Sequence, residues 1–430
     1  MTRPDARPRQ VIVPADRDLS IDAARIGSLL LVVLIHLLMI GATVGTNGVQ
    51  LSRPLEAQPW FSAATWVGQI MPLFFLLGGF TGLRSWRSSH ARGATAMAYV
   101  RGRVVRLARP ALPFFVFWLV VLLAGRAAGI DAALLDAVAS GAGTPIWFLA
   151  AFLLAQCIVP IFAALHARWR WQTPIALAML AIGVDAIRIA TGIEAFGWLN
   201  FAFVWWFVQQ LGFVLLDGST ERLRARPGGV WLLVAIAAAA YAALGASVAA
   251  GWDSADMLQN LNPPTVSLVF LGIAQLALFE VLRPVLRSVM RLRPVQGVAY
   301  LIGARAMTVY LWHLPLIIAI TGLGLLLPGG GPTPASPVWW ATRPIVYLVV
   351  VAAVIALAVP LARFEQVPAG YASRKAGDVA VCIAALAAFG GAFWVTVDAL
   401  GLATAATGTA ALALAVVLVR GRRVTPPRSS

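Results

Sequence analysis

An arginine and a histidine eleven positions apart, inside an otherwise apolar stretch, carry the strongest chemical signal in this chain. Asp22-Ala-Ala-Arg25 leads through ten residues, nearly all apolar, to His36. At ~100° and ~1.5 Å per residue, eleven helical steps return to within ~20° of the starting direction and climb ~16 Å, so Arg25 and His36 share one helix face. In a membrane-spanning helix the arginine sits at one rim and the imidazole near mid-depth, where an ionisable group is costly and marks a functional site. Imidazole can take the proton of a hydroxyl as a general base, or carry an acyl group as a nucleophile. A second deep histidine lies in Ala306-Met-Thr-Val-Tyr310-Leu-Trp312-His313-Leu-Pro315. His313 is either a packed, hydrogen-bonded core residue or, with Tyr310 and Trp312, a donor to a developing oxyanion. No Cys, Asp or Glu cluster accompanies the two histidines, so no metal site is expected.

Other polar groups sit at recognisable positions. Arg101, Arg103, Arg106 and Arg109 precede Pro110, and the three-residue spacings from Arg103 to Arg106 to Arg109 share a face if helical. Such a row can grip phosphates by forked hydrogen bonds, or anchor the helix at lipid headgroups. Trp147 follows Thr144-Pro145-Ile146 at the entry of an apolar segment, where an aromatic-belt role is the plain alternative to ligand contact. Gln209 and Gln210 need partners within an apolar helix, from a neighbouring helix or from a ligand. The acidic, amide-bearing segment 251–263 either meets a sugar or is solvated.

The elements that must position these groups are membrane helices. Of 430 residues 60% are hydrophobic and 12% charged, with mean hydropathy +0.84, against roughly 25% charged in soluble domains. Stretches of ~18–25 apolar residues suit a hydrocarbon layer ~30 Å thick. Twelve are expected, near 23–45, 60–83, 107–126, 145–165, 173–191, 198–216, 229–250, 264–282, 300–327, 341–362, 377–397 and 402–419. Pro72 is expected to kink the second, and Gly401 and Gly408 leave open whether the last two form one broken hairpin. The net charge of +16 concentrates in alternate loops: the start of the chain, 84–109, 168–170, 222–226, 283–293, 363–375 and the end. Only Arg53, Arg126, Arg188 and Arg343 fall on the other side, with Arg25 and Arg305 near or within spans. That bias places both termini in the cytoplasm, and its alternation between loops excludes a phosphate-tracking nucleic-acid surface. The expected location is the cell membrane, multi-pass and in contact with membrane lipid. Residues 1–20 read as a disordered cytoplasmic tail ahead of an uncleaved anchor, and 421–430 as a second tail. Cys157 and Cys382 read as buried, inert thiols.

Several of these stretches, in order, resemble one family, the membrane-bound acyltransferase family 3. Arg25 with ten residues before His36 matches its opening signature. Pro72-Leu-Phe-Phe-Leu-Leu-Gly-Gly-Phe80 is similar to its Phe-Phe-x-x-Ser-Gly-Phe element, with Gly78 in the serine position. The arginine row before Pro110, Trp147-Phe-Leu and the Tyr310-Leu-Trp-His313 box complete the likeness. Val204-Trp-Trp-Phe-Val-Gln-Gln-Leu-Gly-Phe213 is similar to an actinobacterial-type branch, with Gln209 where a histidine is expected. The resemblance implies about ten core helices over 21–365, leaving 366–420 as an addition. It implies transfer of an acyl group, usually acetyl, from cytoplasmic acyl-CoA to a hydroxyl of an extracytoplasmic glycan or glycolipid. His36 would be catalytic with Arg25 its partner, Arg101, Arg103 and Arg106 would hold the CoA phosphates, and Trp147, Tyr310 and His313 would line the substrate site. A secondary transporter or flippase is the alternative, although Asp185 and Glu280 are its only evident coupling carboxylates.

Overall fold

The computed structural model describes residues 18–45, 48–367, 371 and 374–423. The expected terminal tails lie almost wholly outside the described residues. Helix α1 (Leu19–Met39) starts at Asp18, whose carboxylate accepts the Ser20 N–H. A hairpin follows, β1 (Gly41–Gly45) against β2 (Gly48–Ser52), with Val44 opposite Val49. Next come α2 (Phe61–Gly68), α3 (Met71–Ala91), α4 (Ala96–Ala127), α5 (Ala132–Gly143), α6 (Ile146–Cys157) and α7 (Val159–Arg168). Helix α8 (Gln172–Thr191) leads through a 3₁₀ turn to α9 (Asn200–Leu216), α10 (Ser219–Arg224), α11 (Gly229–Ala249) and α12 (Ser267–Val289). The chain continues through α13 (Arg293–Gly303), α14 (Ala306–Gly324), α15 (Pro337–Glu365), α16 (Asp378–Asp398) and α17 (Leu402–Arg420). Among the described residues twelve stretches are long and apolar enough to cross a bilayer, α2 with α3 and α5 with α6 each counting as one. The protein is an all-α polytopic membrane protein.

Three expected spans are interrupted, each for a local reason. The first was expected over 23–45, but α1 stops at Met39 and 41–45 is strand. Gly41 and Gly45 are poor helix formers, and Thr43 and Val44 favour strand. Residues 41–52 therefore form a hairpin that exposes Val44, Val49 and Leu51. The second span breaks at Gln69–Ile70, just before Pro72, so the proline opens α3 instead of bending it. Gln275 of α12 repairs the break, accepting the Leu73 N–H at 2.6 Å and donating to the Gln69 carbonyl at 2.6 Å. The fourth span comprises α5 and α6, and a further break at Ile158 before Pro160 starts α7.

One hydrophobic core runs through most of the bundle, from Ile21 in α1 to Val419 in α17. Helices α3 and α9 cross at backbone contact. A Cβ on Gly79 would lie 2.2 Å from the Gln209 carbonyl oxygen, and one on Gly212 would lie 2.0 Å from that of Leu76. Helices α16 and α17 are two full helices packed on α4 and α6, with Gly408 against the Phe115 ring. Of the two free cysteines, Cys157 is half-buried, whereas Cys382 is exposed on α16, contrary to the expected burial of both. At the arginine-rich end of the bundle, hereafter the basic face, Arg283 pairs with Asp18 at 2.5 Å and Glu280 at 3.0 Å, fastening α1 to α12.

Candidate active site

Helices α1 and α14 lie side by side and bring their histidines together. His36 Nδ1 is 2.8 Å from His313 Nε2, and the rings are nearly parallel, with centroids 5.0 Å apart and planes 19° apart. His313 Nδ1 is 3.2 Å from the Val309 carbonyl one turn below. A carbonyl oxygen only accepts, so in the neutral pair the Val309 contact assigns the proton to His313 Nδ1. His313 Nε2 is then an acceptor, His36 Nδ1 donates to it, and the lone pair of His36 rests on Nε2. Among the described residues His36 Nε2 has no hydrogen-bond partner. His313 is fully enclosed while His36 keeps partial exposure. In that tautomer His36 Nε2 carries the one uncommitted lone pair of the two rings.

The position of the pair follows from both helices. His313 stands seven residues into α14 and eleven before its end, roughly 10 Å and 16 Å along the axis. That is mid-depth, as expected. On α1 the same level is the last turn, because the helix ends at Met39. The volume that a longer α1 would fill is a groove of about 830 Å³ between the hairpin, α5 and the second half of α14. Met39, Ile40 and Ile318 line its inner end, and Ser52 and Arg53 contribute polar groups on the hairpin. On the other side of the pair, toward the basic face, Arg25 and Asp22 line a crevice of about 60 Å³ with Leu29, Phe74, Gly303 and Ala306. Arg25 stands ~16 Å from His36 along α1, so the two share a face without touching.

The aromatic residues form the wall behind His313. Phe148 lies 4.7 Å from Tyr310, and Tyr310 lies 6.3 Å from His313, centroid to centroid. Trp147 is not in an interfacial belt. It is buried and stacked on Trp205 at 5.5 Å, and Trp205 stacks on Phe75 at 4.2 Å. The Tyr310 hydroxyl is buried against the Phe148 and Leu149 amides without an aligned hydrogen bond.

The arginine row of α4 divides. Arg101 is buried, and its guanidinium donates to the Val419, Arg374 and Arg420 carbonyls while covering the Tyr371 ring at 4.0 Å. Its donors close the end of α17. Arg103 lies over Tyr99 at 4.6 Å, and Arg106 is exposed. Arg109 donates to the Gln366 and Arg363 carbonyls. Gln209 and Gln210 found helix partners: the former donates to the Ala155 carbonyl at 2.6 Å, and the latter meets His166 at 3.2 Å. His166, which spacing did not single out, also meets Asp217 at 3.0 Å, and Arg87 pairs with the same carboxylate at 2.8 Å. Burial would raise the Asp217 pKa, but hydrogen bonds from Arg87 and His166 outweigh it and hold it below the ordinary carboxylate value. Asp185 accepts from the Val266 N–H and Asn200, and Glu280 pairs with Arg224 and Arg283, so both carboxylates are structural ties. Segment 251–263 is folded on itself, with Asn260 bonded to Ser254 and Met257 buried. No group of metal-ligating side chains occurs among the described residues.

The fold and the paired histidines define a polytopic helical membrane protein with a candidate acid–base site inside the bundle. A family model described as an acyltransferase domain matches residues 18–363, and the chain belongs to that family, acyltransferase family 3. It is a membrane acyltransferase by family. The match ends within α15, so α16 and α17 lie beyond it. No curated protein and no solved structure matches the chain.

Proposed function

We propose that this protein takes an acyl group, acetyl as the simplest case, from acyl-CoA at a cytoplasmic basic face and transfers it to a hydroxyl of a glycan or glycolipid on the other side, with His36 as the catalytic residue. The observation that carries the reading is the His36–His313 pair, which leaves the His36 Nε2 lone pair free at mid-depth. As general base, Nε2 takes the acceptor's hydroxyl proton while that oxygen attacks the thioester carbonyl; the thiolate leaves and recovers the proton from imidazolium. As nucleophile, Nε2 attacks the thioester first and the thiolate leaves; the hydroxyl then takes the acyl group from the ring, and its proton passes through the freed imidazole to the thiolate. In both routes His313 is the positioning residue.

The groove beyond the end of α1 and the crevice beside Arg25 support opposite entries. The crevice beside Arg25 is the donor's side. At about 60 Å³ it is too small for a pantetheine arm, so α13 and the start of α14 must move aside to admit one. Arg25 then holds the arm at the crevice mouth. Arg106, exposed, and Arg103, one turn away, hold the CoA phosphates, while Arg101 keeps α17 in place. The apolar groove above the pair is the acceptor's side, and its lining favours a hydroxyl attached to a lipid chain over a free sugar. Trp147 and Tyr310 act as the wall that fixes His313 and the acyl group.

The test is labelled acetyl transfer in proteoliposomes supplied with acetyl-CoA and extracted membrane glycolipids, with product mass measured. Wild type should acetylate and His36→Ala should not, while both insert and unfold alike. Wild-type transfer by His36→Ala would overturn the reading.

A further inference from the structure

A second amphiphilic cavity lies far from the histidine pair, at the basic face. Helix α8 packs on α9 and α11 packs on α12, so a groove of about 710 Å³ opens between α8 and α11 with α9 and α12 as its floor. Phe207, Leu211 and Ile273 form the floor, and Ala178 and Ile236 belong to the walls. The groove runs from Trp171 to Met179 along α8, ~12 Å at ~1.5 Å per residue, most of a leaflet ~15 Å thick. Trp171, which lines the groove, is exposed, and tryptophan marks the headgroup level.

The mouth is built from arginines turned toward the groove. Along segment 217–226 the charges sort by direction. Glu221 and Arg224 turn to α12, Glu221 to Arg283 at 3.5 Å and Arg224 to Glu280 at 3.3 Å. Arg222 and Arg226 line the groove together with Arg170, and Arg222 also donates to the Asp217 carbonyl at 2.9 Å. Ser219 joins them, accepting from Arg170 at 2.6 Å and from Arg222 at 3.3 Å. The carboxylate at this rim, Asp217, is 3.3 Å from Arg170 but is shared with Arg87 and His166, so the mouth keeps excess positive charge. The Arg170 Nε is enclosed and has no acceptor.

Guanidinium groups and a hydroxyl above an apolar channel of leaflet depth match one ligand chemistry, a phosphate headgroup with an acyl chain beneath it. We propose that this groove is a binding site for one anionic glycerophospholipid of the basic-face leaflet, its phosphate on Arg170, Arg222 and Arg226 and one acyl chain between α8 and α11. The site is independent of the acyl-transfer reading.

The experiment is native mass spectrometry of the full chain, delipidated in detergent and titrated with dioleoyl phosphatidylglycerol, dioleoyl phosphatidylcholine or inorganic phosphate. Wild type should retain phosphatidylglycerol selectively and bind neither of the others. Arg222→Gln with Arg226→Gln should lower phosphatidylglycerol affinity roughly 30-fold, about fivefold per arginine near the surface. Ala178→Trp, which fills the channel, should lower it with the arginines intact. Equal retention of both lipids by wild type would overturn the proposal, as would binding of inorganic phosphate alone or unchanged phosphatidylglycerol affinity in both variants. Thermal unfolding of each variant verifies that it is folded, and either variant suffices if the other is not.

Discussion

A neutral imidazole has one donor and one acceptor nitrogen, and which is which depends on its neighbours. Here the choice is made by Val309, passed through His313, and delivered to His36. Removing His313 leaves the His36 Nδ1–H without an acceptor in an apolar site and frees the ring to adopt the other tautomer. We expect His313→Leu to lower kcat for acyl transfer by about 10²-fold or more, within the range attributed to a positioned general base, with KM for the donor little changed. His313→Gln, whose side-chain oxygen can accept the His36 proton, should recover part of that loss. Steady-state transfer in proteoliposomes measures both. Equal kcat for the leucine and glutamine variants would mean that His313 only fills space.

Helices here owe their placement to a few contacts of high consequence. The α3–α9 crossing tolerates no side chain at Gly79 or Gly212, since a Cβ at either would overlap a carbonyl of the other helix. Overpacking costs about 1–3 kcal/mol when a core can adjust, and backbone against backbone adjusts least, so Gly79→Val should cost at least ~3 kcal/mol in thermal or denaturant unfolding. The start of α1 depends on Asp18, which caps the helix and binds Arg283. Burial would raise its pKa, but hydrogen bonds from Arg283 and Ser20, with the Arg283 charge, hold it at about 2 against an ordinary 3.8. A depressed carboxylate stabilises the fold fully above its ordinary value. That contribution, roughly 2 kcal/mol, disappears as pH falls toward about 2. Asp18→Asn should therefore be less stable than wild type at pH 6 and close to it at pH 2, read by unfolding in acid-stable detergent.

At the scale of the molecule, α16 and α17 are structural parts of the bundle although they lie beyond the family match. They cover α4 and α6, and Arg101 fastens their far end through three carbonyls. Removing residues 366–430 would uncover Phe115 and the α4 face beneath α17, so the shortened chain should aggregate on extraction, as size-exclusion chromatography would record. With twelve spans the start of α1 and the end of α17 lie on one side of the bilayer, and the positive-inside rule makes the basic face the expected cytoplasmic side. In a background of Cys157→Ser and Cys382→Ser, an impermeant thiol reagent outside cells should label Gln58→Cys and not Ser89→Cys. The reverse pattern would invert the orientation and the donor side with it.

The sequence by itself determined the span count, the basic face and the lone histidines, because hydropathy, charge bias and helical phase are written in neighbouring residues. The family too was legible, in short ordered motifs from Arg25 to His313. Tertiary structure alone decided that His36 meets His313, 277 residues away, and that Arg101 serves a helix end. It also decided that α1 stops one turn above His36 and opens a groove. The hairpin's first strand, 41–45, was hidden because it continues a run apolar enough to read as the end of a helix. Local pattern fixes which face of a helix is polar. Only the neighbour packed against that face fixes which hydrogen bond is made, and therefore which nitrogen is left to react.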